Sequence, residues 1–265
     1  MPSETLNHIP RKRFGQHFLH DVNIQTRLIK AIDPQPSQTV VEIGPGLGAL
    51  TRLLLRCIPH IYAVEIDTDL AMRLTQEFPP TQLSLYIEDA LKFSLMSLQD
   101  KAPLRLVGNL PYNISTPLLF HFLKNAPLIQ DMHFMLQKEV VDRLKASPNS
   151  KDYGRLSIMV QYACDVQALF HVPQSAFSPP PKVQSAVVRL TPRPFPVICH
   201  NEPFLAMVVQ KAFQQRRKML GNALKGVISP EGFKKAEISP LQRAETLSVE
   251  QFVALANNGI LPVLH

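Results

Sequence analysis

Cysteine is scarce in this chain of 265 residues: Cys57, Cys164 and Cys199 are widely spaced and odd in number. That excludes a disulfide framework and a Cys-x-x-Cys metal site, and it points to a reducing compartment. Long hydrophobic runs are also missing, since no stretch approaches the roughly 18 apolar residues of a membrane helix. The segment Met1 to Pro10 has no apolar core of the kind a secretory signal needs, and Glu4 is the only charge in the first seven residues, which fits a transit peptide badly. Internal repeats and low-complexity tracts are absent. A soluble, cytoplasmic protein is expected. Acidic residues are in the minority, 21 against 28 Lys and Arg, for a net charge of +7. Such a balance suits a polyanionic partner, either nucleic acid or an anionic membrane face, without choosing between them. What is present is ordinary for a folded chain: 45% apolar and 18% charged residues exclude wholesale disorder.

The first two-thirds of the chain alternate short β-rich runs with helical patterns. The strand candidates are Thr39–Ile43, Ile61–Glu65, Leu83–Ile87, Arg105–Val107 and His133–Leu136. Between them Leu47–Cys57, Leu70–Phe78 and Pro117–Leu123 carry apolar residues three and four apart. This alternation predicts an α/β fold, a parallel sheet with helices on both faces. Two more strands are expected at Val166–Val172 and Ala186–Leu190, paired antiparallel because Gln174–Lys182 is too short for a helical crossover. The alternating prolines of Thr191-Pro-Arg-Pro-Phe-Pro196 fit neither a helix nor a central strand. The expected division is therefore one domain over residues 1–191, a Pro-rich linker over 192–200, and a small all-α domain over 201–265. The helical patterns of the last part are Phe204–Leu224, Pro230–Lys235 and Ser248–Asn257.

Four loops carry chemistry. Glu42-Ile-Gly44-Pro-Gly46-Leu-Gly48 follows a strand and opens a helix, where glycines let the backbone turn sharply and approach a ligand. Such a turn also occurs with no ligand at all. Glu65 closes the second strand, 21 residues beyond Gly44, and a carboxylate there can accept the ribose hydroxyls of an adenosine-containing cofactor. Asp89, after the third strand, can receive an adenine amine. Each acid can equally be a helix N-cap. Gly108-Asn109-Leu110-Pro111-Tyr112 follows the fourth strand. The exocyclic amine of adenine is a poor nucleophile because its lone pair is delocalised into the ring. Two acceptors on its N–H bonds, Asn109 Oδ1 and the Leu110 carbonyl, would return density to nitrogen. The residue before a proline is held extended, which keeps that carbonyl available. The Tyr112 ring can stack on the base. Read locally, the same four residues make a plausible Asx turn. In a parallel sheet Gly44, Glu65, Asp89 and Asn109 all fall along one edge, outside the carboxyl ends of the strands.

The Asn-x-Pro-aromatic motif resembles that of S-adenosylmethionine-dependent amino-group methyltransferases. Further motifs are Arg11-Lys-Arg-Phe-Gly-Gln-His-Phe-Leu19, Phe177-Ser-Pro-Pro-Pro-Lys182 and Ala212-Phe-Gln-Gln-Arg-Arg-Lys218. With Asn109–Pro117 and His133–Glu139, these resemble the small-subunit ribosomal RNA adenine dimethyltransferases over nearly the whole chain. The resemblance implies a seven-stranded, mostly parallel Rossmann-like methyltransferase sheet. It implies methyl transfer from S-adenosylmethionine to N6 of two adjacent adenosines near the 3′ end of 16S rRNA. The partner it implies is 16S rRNA within the immature small ribosomal subunit. By the same resemblance His17, Leu19, Gly44, Glu65, Asp89 and Asn109 hold the cofactor, with His17 standing where the family usually has asparagine. Phe177 is the implied second stacking aromatic, alongside Asn109, Leu110 and Tyr112 at the reacting base. A structural reading of Phe177, as the core anchor of a rigid proline loop, stays open.

Lys211–Lys218 holds four basic residues and no acid, and with Ala212, Phe213 and Met219 it patterns as an amphipathic helix. Arg216, Arg217 and Lys218 are expected either to face solvent or to contact RNA phosphates. His17-x-x-His20 has no further ligand at suitable spacing, so no metal is expected. A monomer off the membrane satisfies every feature. Two competing functions remain: a large-subunit rRNA adenine methylase, which shares Asn-x-Pro-aromatic, and a non-catalytic RNA-binding assembly factor.

Overall fold

In the computed structural model, which describes residues 16–260, the chain first forms a two-residue strand β1 (Phe18–Leu19) and helix α1 (Val22–Ile32). Asp21 caps α1 by accepting from the amides of Asn23 and Ile24. Three of the β-rich runs then become β2 (Thr39–Ile43), β3 (Ile61–Glu65) and β4 (Leu83–Ile87), with the expected limits. Helices α2 (Ala49–Leu54) and α3 (Thr68–Glu77) alternate with them. Strand β5 (Leu104–Asn109), helix α4 (Ser115–Leu123) and strand β6 (Ile129–Gln137) follow. Next come α5 (Lys138–Leu144), α6 (Arg155–Ala163), β7 (Cys164–Val172), β8 (Phe177–Ser178) and β9 (Ser185–Pro192). The C-terminal stretch is helical: α7 (Glu202–Gln214), α8 (Leu220–Ala223), α9 (Pro230–Lys235) and α10 (Val249–Asn257). None of these helices is long and apolar enough to cross a membrane.

Seven strands form one sheet in the order β4-β3-β2-β5-β6-β9-β7. β4 to β6 pair in parallel, and β9 runs antiparallel to β6. A second, two-stranded sheet pairs β1 with β8, placing Leu19 opposite Phe177. The described residues divide into two compact units, residues 16–141 with 167–191, and residues 142–166 with 192–260. One boundary falls after Thr191, and the second unit takes in residues 142–166, which the sequence pattern assigns to the first domain. Tyr153 and Ile158 are buried in the same core as Phe204, Val208, Leu247 and Phe252. The Tyr153 hydroxyl donates to Leu247 O at 2.9 Å. Phe195, Val197 and Cys199 also pack on that core, so residues 192–200 are part of the unit and not a free linker. These additions give a small helical core the apolar area that 65 residues alone supply poorly.

At the amino end of β5 the first unit buries a charged cluster. Arg105 is 5% exposed and donates to Asp131 on the neighbouring β6, at 2.8 Å from Nη2 to Oδ2. Its other bonds go to Ile32 O, Asp33 O and Gln38 Oε1, so one guanidinium also satisfies the carbonyl end of α1. His133, fully buried, stands 3.4 Å from Asp131. Burial alone would raise the Asp131 pKa, but His133 and Arg105 beside it outweigh that and hold the carboxyl below its ordinary value. Asp131→Asn leaves Arg105 buried without a counter-charge and should cost about 3–5 kcal/mol, read as a lower urea midpoint at pH 7. Because the folded pKa is depressed, this contribution is complete above the unfolded pKa of about 3.9 and is lost as pH falls through the folded value. The gap between wild type and variant should therefore close in acid. A gap that persists unchanged at pH 3 would show that charge is not what Asp131 contributes.

Candidate active site

The turn between β2 and α2 begins with Gly44, Gly46 and Gly48, at φ of 66°, 59° and 77°. This left-handed backbone favours glycine, and it folds the turn back on itself, with Gly44 N donating to Val64 O and Gly48 N to Pro45 O. The Glu65 carboxylate at the end of β3 holds the turn. Its Oε2 accepts from Gly46 N at 3.0 Å and its Oε1 from Asp67 N at 2.9 Å. Asp67 in turn caps α3 and accepts from Gln16 Nε2 at 3.0 Å. A carboxylate offers about four acceptor positions, so two remain on Glu65 for hydroxyl donors. Burial raises the Glu65 pKa, the amide bonds oppose that, and Asp67 nearby adds to it.

β5 passes close to β2 at Gly108, where any Cβ would meet Ile43 O at 2.4 Å. A glycine is required for Asn109 to emerge at the sheet edge. Asn109 Nδ2 donates to His17 O at 2.8 Å, which turns the amide so that Oδ1 is left to accept elsewhere. Leu110 N donates to Met135 O, and the carbonyls engaged in this turn are those of Pro111 and Tyr112. Tyr112 hydrogen-bonds Ser185 through its hydroxyl at 2.5 Å, and burial pushes its pKa above the ordinary phenol value. The ring of His17 stacks on Tyr112 at 5.6 Å between centroids and 26° between planes. His17 Nδ1 donates to Pro179 O at 2.7 Å. Asp89 is half-buried and accepts from Leu91 N at 2.9 Å, the cap-like role that an acid at a strand end can also fill.

One cavity of about 280 Å³ is lined by His17, Leu19, Gly44, Glu65, Asp89, Asn109, Leu110 and Tyr112. All six expected cofactor residues and three of the four expected reacting-base residues therefore meet. The fourth does not. Phe177 is 2% exposed, packs with Leu19, Leu28 and Ala176 in the hydrophobic core and is not among the lining residues. It is the anchor of the proline loop, because β8 pairs with β1 and draws the ring inward. Arg11 to Gly15 of the N-terminal motif lie outside the described residues.

The basic run also departs from expectation. Helix α7 ends at Gln214, and Gln215 adopts a non-helical φ of −124° and ψ of 50°. Arg216, Arg217 and Lys218 thus lie on a turn beyond the helix. The Arg216 guanidinium is engaged within the second unit, with Glu245 Oε2 at 2.8 Å and the carbonyls of Lys151 and Ser150 at 2.9 and 3.3 Å. Arg217 and Lys218 are exposed.

Sequence reading missed Glu42 as a cavity residue, since it stands inside β2 rather than at its end. It is 1% exposed, lines the cavity, and accepts from Thr51 Oγ1 at 2.7 Å. The one signal available was a carboxylate within an otherwise apolar strand.

Comparison with known proteins gives a consistent result. A family profile described as ribosomal RNA adenine dimethylase matches residues 7–259. Ribosomal RNA small subunit methyltransferase A of Thiobacillus denitrificans is 56% identical over 249 residues, 94% of this chain and 97% of that protein. Among solved structures, a dimethyladenosine transferase from Plasmodium falciparum aligns with a TM-score of 0.77 at 25% identity, over 90% of this chain and 96% of the other. The 23S rRNA methyltransferase ErmE aligns at 0.69 and 24% identity, over 91% and 98% of the two chains, a likeness of fold.

Glu42 supplies a test of the cavity's electrostatics. Burial pushes its pKa up to about 7, against opposition from the Thr51 hydrogen bond. Between the ordinary value of 4.5 and about 7, the folded state keeps a proton that the unfolded state has lost. Stability therefore falls as pH rises through that window, and the whole penalty is present above it. Glu42→Gln removes the penalty. Without added ligand, the melting temperature of the variant relative to wild type should rise between pH 5 and pH 8. A difference that is flat across this range would place an ionised Glu42 in the fold at every pH.

Proposed function

The chain belongs to the ribosomal RNA adenine dimethylase family, and we propose on that premise that it methylates N6 of two adjacent adenosines near the 3′ end of 16S rRNA. It is an S-adenosylmethionine-dependent rRNA dimethyltransferase. The observation that carries the reading is Asn109. Its amide is oriented by His17 O and stands in one cavity with the glycine turn, Glu65 and Asp89.

The cavity fits the cofactor. Left-handed glycines bring backbone close to a ligand, two acceptor positions on Glu65 suit a ribose, and Asp89 suits an adenine amine. Glu42, Glu65 and Asp89 make an acidic lining that complements a cationic ligand. When bound, S-adenosylmethionine supplies a methyl group on a sulfonium, from which an in-line nucleophile can take it.

The remaining work is positioning and electrostatics by the chain's own groups. The target adenine must leave its stack to reach the cavity. Tyr112 offers a ring for it, once the stacked His17 yields its place. Asn109 Oδ1 and the Leu110 carbonyl accept the two N–H bonds, which orients the amine lone pair. Both acceptors grow stronger as positive charge develops on nitrogen. A general base is not required, because an N-alkylated adenine ammonium is acidic enough to give its proton to water. Transfer of the second methyl needs room for the first.

The proposed setting is the cytoplasm, with a monomer acting on the immature small subunit late in its assembly. The small-subunit relative at 56% identity favours this RNA over the large-subunit one. Methyl transfer to small subunits lacking the modification, followed by nucleoside analysis, tests the activity. Recovery of N6,N6-dimethyladenosine from 16S rRNA is expected. Binding without transfer would leave only an assembly factor.

Asn109→Ala tests the mechanism. Loss of one preorganised group that acts mainly in the transition state costs roughly 10²–10³ in rate. Single-turnover methylation at saturating RNA and cofactor should slow by that factor, with the fold and RNA binding retained. A rate within threefold of wild type would reduce Asn109 to a turn residue.

A further inference from the structure

Two loops of the second unit are joined by one side chain. Arg216, on the turn after α7, spends its guanidinium on three acceptors of this chain: Glu245 Oε2, Lys151 O and Ser150 O. Glu245 also reaches the same loop through its main chain, where its carbonyl accepts from Asn149 N at 2.8 Å. Asn149 holds a left-handed φ of 67°, so the loop before α6 is bent sharply where these bonds grip it. Lys151, Arg217 and Lys218 are exposed and enter no ion pair among the described residues. The planar fork of arginine suits such a multi-carbonyl clamp, and an ammonium cannot reproduce it.

We propose that Arg216 is the staple of an RNA-binding surface and not one of its phosphate ligands, and that Lys151 joins Arg217 and Lys218 as a third phosphate contact. This rests on the rRNA substrate proposed above. A guanidinium already satisfied by a carboxylate and two carbonyls gains little from a phosphate, because an existing bond must be given up for each new one. The three free cations carry no such cost. By fixing the Ser150–Lys151 main chain to the turn that bears Arg217 and Lys218, the staple sets the spacing of the charges that remain. A phosphate ladder rewards such fixed spacing.

The test is binding of the full-length protein to small ribosomal subunits lacking the dimethyladenosines, titrated over KCl concentration. Lys151→Ala should reduce the slope of log K against log[salt] by about 0.7–0.9, as should Arg217→Ala and Lys218→Ala. Glu245→Gln makes the protein more positive. If Arg216 is the staple, affinity falls by about 3- to 10-fold. If Arg216 is a phosphate ligand, the freed guanidinium raises affinity and steepens the slope, and the proposal is overturned. Arg216→Lys divides the same two outcomes: a staple is not rescued by lysine, whereas a phosphate ligand is. Thermal melting of each variant guards against unfolding, and because Lys151 is exposed, its alanine variant should melt with wild type. An unchanged slope for Lys151→Ala would also defeat the proposal. Methyl transfer by the wild-type protein, measured on the same subunits, reports separately on the enzymatic reading. Transfer with unchanged slopes sinks the surface alone.

Discussion

Parallel pairing of β2, β3, β4 and β5 brings four strand ends to a single edge, and the polar groups of the cavity hang from that edge. A parallel ladder leaves no freedom here. Once Glu42 is registered against Ala63 and Val107, the glycine turn, Glu65 and Asn109 must emerge side by side. The Glu65 carboxylate then ties two adjacent loops together through Gly46 N and Asp67 N. Loops that carry function are made rigid by the sheet behind them and by such cross-links.

The two ends of β5 divide the electrostatic work. Arg105 lies four residues before Asn109, about 13 Å along a strand. At the Arg105 end a buried cation is fully paired, and its bonds close α1 and join β5 to β6. At the Asn109 end, buried carboxylates are paired only with amides and a hydroxyl. Burial raises the pKa of Glu42 and Glu65, a cost that a cationic ligand would relieve. Buried carboxylates at the cavity end thus carry a desolvation cost, whereas the buried Arg105–Asp131 pair at the other end is satisfied within the chain.

The same economy governs the basic turn of the second unit. Like charges close in sequence are expected to act alike, but only Arg216 has acceptors within reach of its fork. Its neighbours stay exposed, so one arginine organises a surface and the other two cations present charge on it.

Strand placement was legible in the sequence because Thr39–Ile43, Ile61–Glu65 and Leu83–Ile87 are short runs of mainly β-branched, aromatic and leucine residues, a local property. The edge that collects Gly44, Glu65, Asp89 and Asn109 followed from strand–helix alternation alone, since parallel strands all end on one side. Three things were decided only by the tertiary structure. Phe177 reads either as a second stacking aromatic or as the core anchor of its proline loop, and pairing of β8 with β1 places it in the core. Residues 142–166 read as part of the sheet domain, yet Tyr153 and Ile158 complete the helical core. Arg216 reads as a helix-borne phosphate ligand, yet Glu245, 29 residues away, takes its charge. Periodicity reports which face of an element is apolar. It carries no information about which distant carbonyl or carboxylate will lie against a given side chain, because that depends on how the elements pack.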